Sequence, residues 1–187
     1  MIEVRIHGRG GQGNVVAAYL LATAAFTEGW HAQAFPAFGA ERRGAPVVAF
    51  VRLNDKPIRR RCQVAEPDFL LIQDEALMRV AGITDGLKST GRILLNSSSD
   101  ADAFDKDNEQ LITLPATRLA QEHLGRPVPN TALLSAFVTL TGLLPRSALS
   151  HALEERFSGD ILEKNNQLID AAAETIDADL WKDTANA

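Results

Sequence analysis

Four glycines fall within the six residues Gly8-Arg9-Gly10-Gly11-Gln12-Gly13. The run follows an apolar alternation at Ile2, Val4 and Ile6 and precedes a long apolar stretch. Alternation of period two marks a strand, and the apolar stretch marks a helix. Glycines between them permit a tight strand-to-helix turn in which the backbone approaches a ligand or another chain closely. Such a turn aims free N–H groups and the positive end of a helix at one point, a ready anion site. The spacing of Gly8, Gly10 and Gly13 matches G-x-G-x-x-G, a dinucleotide fingerprint.

The rest of that fingerprint is missing. A dinucleotide site needs an acid ~20 residues on, at the end of the second strand, to hold the ribose. The expected second strand, residues 30–35, holds no acid, and Glu28 precedes it. A phosphate-cradling P-loop needs Lys and Ser/Thr next. Asn14 and Val15 stand there instead. The bland alternative is a turn that only lets helix and strand pack closely.

The 187 residues suggest one domain carrying a helical extension from about residue 130. Hydrophobic residues make up 45 % and charged residues 23 %, which argues against wholesale disorder. A net charge of −5 argues against nucleic acid as the main partner. The single cysteine, Cys62, excludes an internal disulfide and a cluster or zinc site built from this chain's own thiols. Such usage fits a reducing cytoplasm. Met1 leads straight into a strand pattern, so no signal peptide is expected. No uninterrupted apolar run reaches the ~18 residues of a membrane span.

The pattern predicts strands over residues 2–7, 30–35, 46–53, 69–73, 92–96 and 111–114, a basic strand-like stretch over 58–62, and helices over 13–27 and 74–80. Residues 97–108 read as a polar surface loop. The expected fold is α/β: a Rossmann-like three-layer α/β/α sandwich with a mostly parallel mixed sheet. Three closing helices are expected over 131–143, 145–157 and 161–181. The last carries a stripe at Leu162, Ile169, Ala172, Ile176 and Leu180, with Asn165 as a satisfied buried polar residue.

Two helices are apolar almost all round. In residues 13–27 the polar line is thin, at Tyr19, Thr23 and Thr27, and in 131–143 it is Thr131, Ser135 and Thr139. Helices of this kind are buried on most sides. At least one is expected to cover a subunit interface; the alternative places both inside one core.

A second constellation, Phe35-Pro36-Ala37-Phe38-Gly39-Ala40-Glu41-Arg42-Arg43-Gly44-Ala45-Pro46, packs two prolines and a double arginine into one expected loop. Arginine offers planar, bidentate recognition of phosphate or carboxylate. Glu41 is placed to orient one arginine and leave the other for a ligand. A rigid solvated loop is the alternative. Arg59, Arg60 and Arg61 read as a solvated edge that discourages aggregation. His7 is expected to be a hydrogen-bonded structural histidine. His31, His123 and His151 lack metal-ligand spacing, and Cys62 reads as an inert lone thiol.

Together the glycine turn, Ala32-Gln33-Ala34-Phe35-Pro36 and Phe38-Gly39-Ala40-Glu41-Arg42-Arg43-Gly44-Ala45-Pro46 resemble the gamma subunit of 2-oxoacid:acceptor oxidoreductases, the third domain of single-chain pyruvate:ferredoxin oxidoreductase. The helix start Asn130-Thr131-Ala132-Leu133-Leu134 and the closing helices resemble it too, so the likeness spans residues 1–167 or so. Asn14 departs from the apolar residue usual after the turn.

The resemblance implies a multi-subunit enzyme that oxidatively decarboxylates a 2-oxoacid to an acyl-CoA and CO2. It implies thiamine diphosphate and Mg2+ between alpha and beta subunits, iron–sulfur clusters on a ferredoxin-like delta subunit, and ferredoxin or, through a flavin subunit, NAD as acceptor. It associates the gamma chain with coenzyme A, with no catalysis by this chain alone. On that basis Gly8, Arg9, Gly10, Gly11, Gln12 and Gly13 are candidates for a surface near coenzyme A or a partner, with Arg42 and Arg43 as anion partners. Two other classes compete: a stand-alone nucleotide-binding dehydrogenase and a non-catalytic assembly module.

Overall fold

Alternating apolar residues at 2, 4 and 6 put one side of the first strand against a layer of helices, and everything else in the fold is arranged around that strand. The computed structural model describes residues 1–37, 46–104 and 110–186. Strands are β1 (Ile2–Arg9), β2 (His31–Pro36), β3 (Pro46–Asn54), β4 (Phe69–Ile72), β5 (Arg92–Asn96) and β6 (Leu111–Leu114). Helices are α1 (Asn14–Thr27), α2 (Ala116–Leu124), α3 (Asn130–Thr141), α4 (Arg146–Glu154), α5 (Gly159–Glu174) and α6 (Lys182–Ala185). The sheet order is β2-β3-β1-β4-β5-β6. β1, β4, β5 and β6 run parallel, while β3 is antiparallel to both β1 and β2. The sheet is thus mixed and mostly parallel, and the fold is α/β.

One register fixes both faces. Ile2, Val4 and Ile6 lie opposite Leu53, Val51 and Ala49, and Val4 and Ile6 opposite Phe69 and Leu71. These residues form one apolar core with the buried sides of α1 to α5 and with Trp181. The alternate residues face the other way. On β4, β5 and β6 they are Leu70, Ile72, Ile93, Leu95 and Leu111, which pack with Leu77 and Ile83 in a second cluster. Among the described residues this outer face carries a 3₁₀ helix, Glu75–Arg79, and irregular chain instead of α-helices, so the third layer is thin.

α3 lies wholly within this chain's core, with every residue but Thr139 buried. Its polar line turns toward α5. The Thr131 hydroxyl donates to Asn165 Oδ1 at 3.1 Å, and the Ser135 hydroxyl to the Ile169 carbonyl at 2.5 Å. Asn165 is the satisfied buried polar residue its stripe predicts. α1 keeps an outer stripe, where Tyr19 and Phe26 are exposed, Phe26 by 70 %.

Four expectations are corrected. Residues 58–62 form no strand; the side chain of Arg52 fastens this segment over β3 through Cys62 Sγ at 3.8 Å and the Gln63 carbonyl at 3.3 Å. Residues 74–80 make only the short 3₁₀ turn, with Asp74 Oδ1 accepting the Ala76 N–H at 2.9 Å. α2 is a helix that the sequence pattern above does not predict, although Ala116, Leu119 and Ala120 have helical spacing and are buried. The closing helix breaks after Glu174, where the chain reverses at Asp179 with φ of 60°. There the Asp179 and Trp181 N–H groups donate to the Thr139 and Leu140 carbonyls at 2.9 and 2.7 Å. Trp181 is therefore buried against Phe69, whereas Leu180 of the predicted stripe is exposed.

Candidate functional site

The glycine turn stands at the carboxyl end of β1 and leads into α1, as the spacing predicts. Its glycines serve different purposes. A Cβ at Gly8 would overlap the side-chain amide of Asn14, and one at Gly13, whose φ is +82°, would come within 2.7 Å of Asn130 Nδ2. Two of the fingerprint glycines thus make room for this chain's own asparagines. Gly11, with φ of +97°, has nothing near its Cβ position and faces open space.

Gln12 folds back onto the turn. Its Oε1 accepts the Arg9 N–H at 2.7 Å, and its own N–H donates to the Arg9 carbonyl at 3.1 Å. Arg9 Nε pairs with Asp74 Oδ2 at 2.7 Å. Asn14, the departure from the family pattern, is a brace. Its Nδ2 donates to the Val47 carbonyl at 2.7 Å, tying the start of α1 to β3. Arg42 and Arg43, with Phe38, Gly39, Ala40 and Glu41, lie outside the described residues.

A polar cavity of about 410 Å3 opens beside the turn, past the carboxyl ends of β4 and β5. That is the crevice where open α/β sheets bind ligands. Here its chemistry is acidic and hydroxylic: Asp74, Glu75, Ser97 and Ser99 line it with Gln12 and Gln73. The Ser97 hydroxyl donates to Glu75 Oε2 at 2.5 Å, and Asn96 Nδ2 donates to the Gln73 carbonyl at 2.8 Å. These carboxylates repel a diphosphate. Chain order puts the expected acid after the second strand, whereas in space the parallel neighbour of β1 is β4, which brings Asp74 and Glu75 here.

His7 is structural, as expected. It is buried, and Arg5 Nε donates to its Nε2 at 2.9 Å. Burial and then the Arg5 charge push its pKa down to about 4, so the ring is neutral at pH 7. Arg59, Arg60, Arg61 and Cys62 are exposed. Among the described residues no group of three His, Cys, Asp or Glu side chains is placed to hold a metal ion. No helix of the described chain is long and apolar enough to cross a membrane.

With this geometry in place, similarity to known proteins is extensive. The family model described as pyruvate ferredoxin/flavodoxin oxidoreductase matches residues 3–175. Pyruvate synthase subunit PorC of Methanothermobacter marburgensis is 52 % identical over 88 % of this chain and 92 % of its own length. The pyruvate/ketoisovalerate oxidoreductases common subunit gamma of Thermococcus kodakarensis is 46 % identical over 92 % of this chain and 95 % of its own. The crystal structure of pyruvate oxidoreductase subunit PORC from Thermotoga maritima superposes with a TM-score of 0.83 at 34 % identity, covering 92 % of this chain and 95 % of that one.

Proposed function

The chain belongs to the pyruvate ferredoxin/flavodoxin oxidoreductase family as a gamma subunit of a multi-subunit 2-oxoacid oxidoreductase, and from that premise we propose that it closes the assembly at the coenzyme A side of the reaction. The reaction converts a 2-oxoacid and coenzyme A to an acyl-CoA and CO2, and a pair of electrons leaves for ferredoxin or NAD. In this proposal alpha and beta subunits hold thiamine diphosphate and Mg2+, a ferredoxin-like delta subunit holds the iron–sulfur clusters, and the complex works in the cytoplasm. The relatives named for both pyruvate and ketoisovalerate oxidoreductases share one gamma chain between two substrates. That sharing favours substrate choice outside this subunit.

The observation that carries the reading is the turn itself. Asn14 and Asn130 fill the space on its inner side, while Gly11 leaves backbone open on the outside. Backbone left bare at a glycine suits close approach by another molecule. We assign Gly8, Arg9, Gly10, Gly11, Gln12 and Gly13 to that surface, with Arg42 and Arg43 as partners for phosphate or carboxylate. Thiamine diphosphate and the clusters would add the carbanion and electron-transfer chemistry, and this chain would position and enclose.

Anaerobic pull-down of the tagged chain from its host tests the assembly. Co-recovery of thiamine-binding chains and a cluster-bearing chain supports it, and recovery of a lone monomer overturns it. Within the recovered complex, Arg43→Ala is expected to raise the KM for coenzyme A or loosen the assembly, by about tenfold for a lost charge-assisted contact. Unchanged coenzyme A kinetics with an intact complex would remove Arg43 from the site.

A further inference from the structure

A second cavity, of about 440 Å3, lies on the helical side of the sheet, where α1, α3 and α5 converge. Its size falls in the range of small-molecule sites, roughly 300–1,000 Å3. Val16, Leu20, Val128, Phe157 and Ile161 give it apolar walls. Its polar groups are mostly donors. Arg126 and Lys164 stand exposed at the rim, and neither makes an ion pair among the described residues.

Asn130 lines the same cavity while only 7 % exposed. Its Oδ1 accepts the Thr131 N–H at 2.9 Å. Its Nδ2, set beside Gly13, donates to no acceptor among the described residues. Although the residue is buried, this amide nitrogen stays accessible from the cavity and is a donor for whatever enters it. The starts of α1 and α3, at Gly13 and Asn130, both open here and add the positive ends of two helices. Two rim cations, an amide donor facing the cavity and two helix starts thus share one apolar cavity in a chain whose net charge is −5.

We propose that this cavity binds a small organic anion with an apolar body, the anionic end held by Asn130 Nδ2, Arg126 and Lys164 and the body lying along Val16, Leu20 and Phe157. This site goes beyond the subunit role proposed above and does not depend on it. Apolar walls exclude water from the anion's surroundings and strengthen each charge contact.

Anilinonaphthalene sulfonate, an apolar fluorescent anion, is the probe. The folded full chain is expected to enhance its fluorescence saturably. Reversing the rim with Arg126→Glu and Lys164→Glu should weaken binding about tenfold or more, as two attractions become repulsions. Uncharged phenylnaphthylamine should be hardly affected by that reversal. Val16→Trp, which fills the cavity, should abolish binding of both. Phe26→Ser, on the distant exposed stripe, should leave it intact. Circular dichroism confirms that each variant is folded.

Absence of saturable binding would overturn the proposal. So would binding indifferent to both the reversal and Val16→Trp, or sensitive only to Phe26→Ser, which would mean adsorption to the surface. Binding to the isolated chain that is lost in the assembled complex would show the cavity to be filled by a partner, and would equally overturn a small-molecule ligand.

Discussion

The two faces of the sheet are built on opposite principles. On the helical face Val4, Ile6, Val51, Phe69 and Leu71 meet α-helices through aliphatic and aromatic contacts alone, and Phe137 sits edge-on to Phe69 with ring centres 5.1 Å apart. On the outer face the same strands β1 and β3 present Glu3, Arg5, His7 and Arg52, all buried. Arg52 is 1 % exposed, donates to Glu3 Oε1 at 2.7 Å and lies over the Phe35 ring. Arg5 Nη2 donates to the Ile83 and Asp85 carbonyls at 3.0 and 2.8 Å. An irregular cover exposes backbone carbonyls that a helix would satisfy itself, and long guanidinium side chains answer them. Charge on the outer face therefore replaces the missing α-helical layer.

The largest test of that contrast is Arg52→Ala. Removing one partner of a buried pair leaves Glu3 uncompensated, with an expected loss of about 3–5 kcal/mol in unfolding free energy. The double variant Glu3→Leu with Arg52→Met should recover most of it, because an apolar pair of similar volume removes both charges. Phe137→Ala on the helical face should cost a similar ~3–5 kcal/mol through its cavity. No partner substitution on the outer face should rescue that one. Denaturant melts of the three variants decide the matter, and failure of the double variant to recover would show that the charged network is more than a filler.

A smaller effect, on the order of 3 kcal/mol at most, belongs to His7. Its pKa of about 4 in the folded chain lies below the unfolded value of 6.5. Between these values the unfolded chain binds the extra proton, so the contribution is complete above pH 6.5 and is lost as pH falls toward 4. His7→Gln, which can still accept from Arg5, should flatten the stability profile across that window. The helical face has no such group in its core and should add no slope there. An unchanged profile in His7→Gln would assign the slope to other groups.

Much of this was readable in the chain. Alternation at Ile2, Val4 and Ile6 and short apolar runs such as Phe69–Ile72 place the described strands within a residue or two, because the central strands are buried against continuous apolar clusters. The turn at Gly8 and Gly13 was readable for the same reason. Its internal purpose was not, since Asn130 is brought to Gly13 only by the packing of α3. The outer face was equally hidden. Glu3, Arg5 and Arg52 look like ordinary solvent-facing positions of alternating strands, and only the cover fixed by Cys62, Gln63 and Ile83 turns them inward from water. The order of β4 beside β1 placed Asp74 and Glu75 next to the turn, a proximity that chain spacing does not encode.

The smallest effect on stability separates the two apolar helices. α3 bonds α5 through Thr131 and Ser135, keeps Thr139 bonded to its own Ser135 carbonyl, and is enclosed, so its hydrophobicity is explained within this chain. α1 packs on the sheet and against α3 and α4, yet on its outer stripe Tyr19 and Phe26 remain 44 % and 70 % exposed. Phe26→Ser should therefore shift unfolding by no more than about 0.5 kcal/mol, as surface changes do. If α1 is the helix that meets another subunit, the same substitution should weaken recovery of partner chains in the pull-down, because buried aromatic anchors dominate such contacts. Stability and assembly both unchanged would leave Phe26 a solitary exposed side chain, and the apolar character of α1 would then be accounted for by the sheet beneath it.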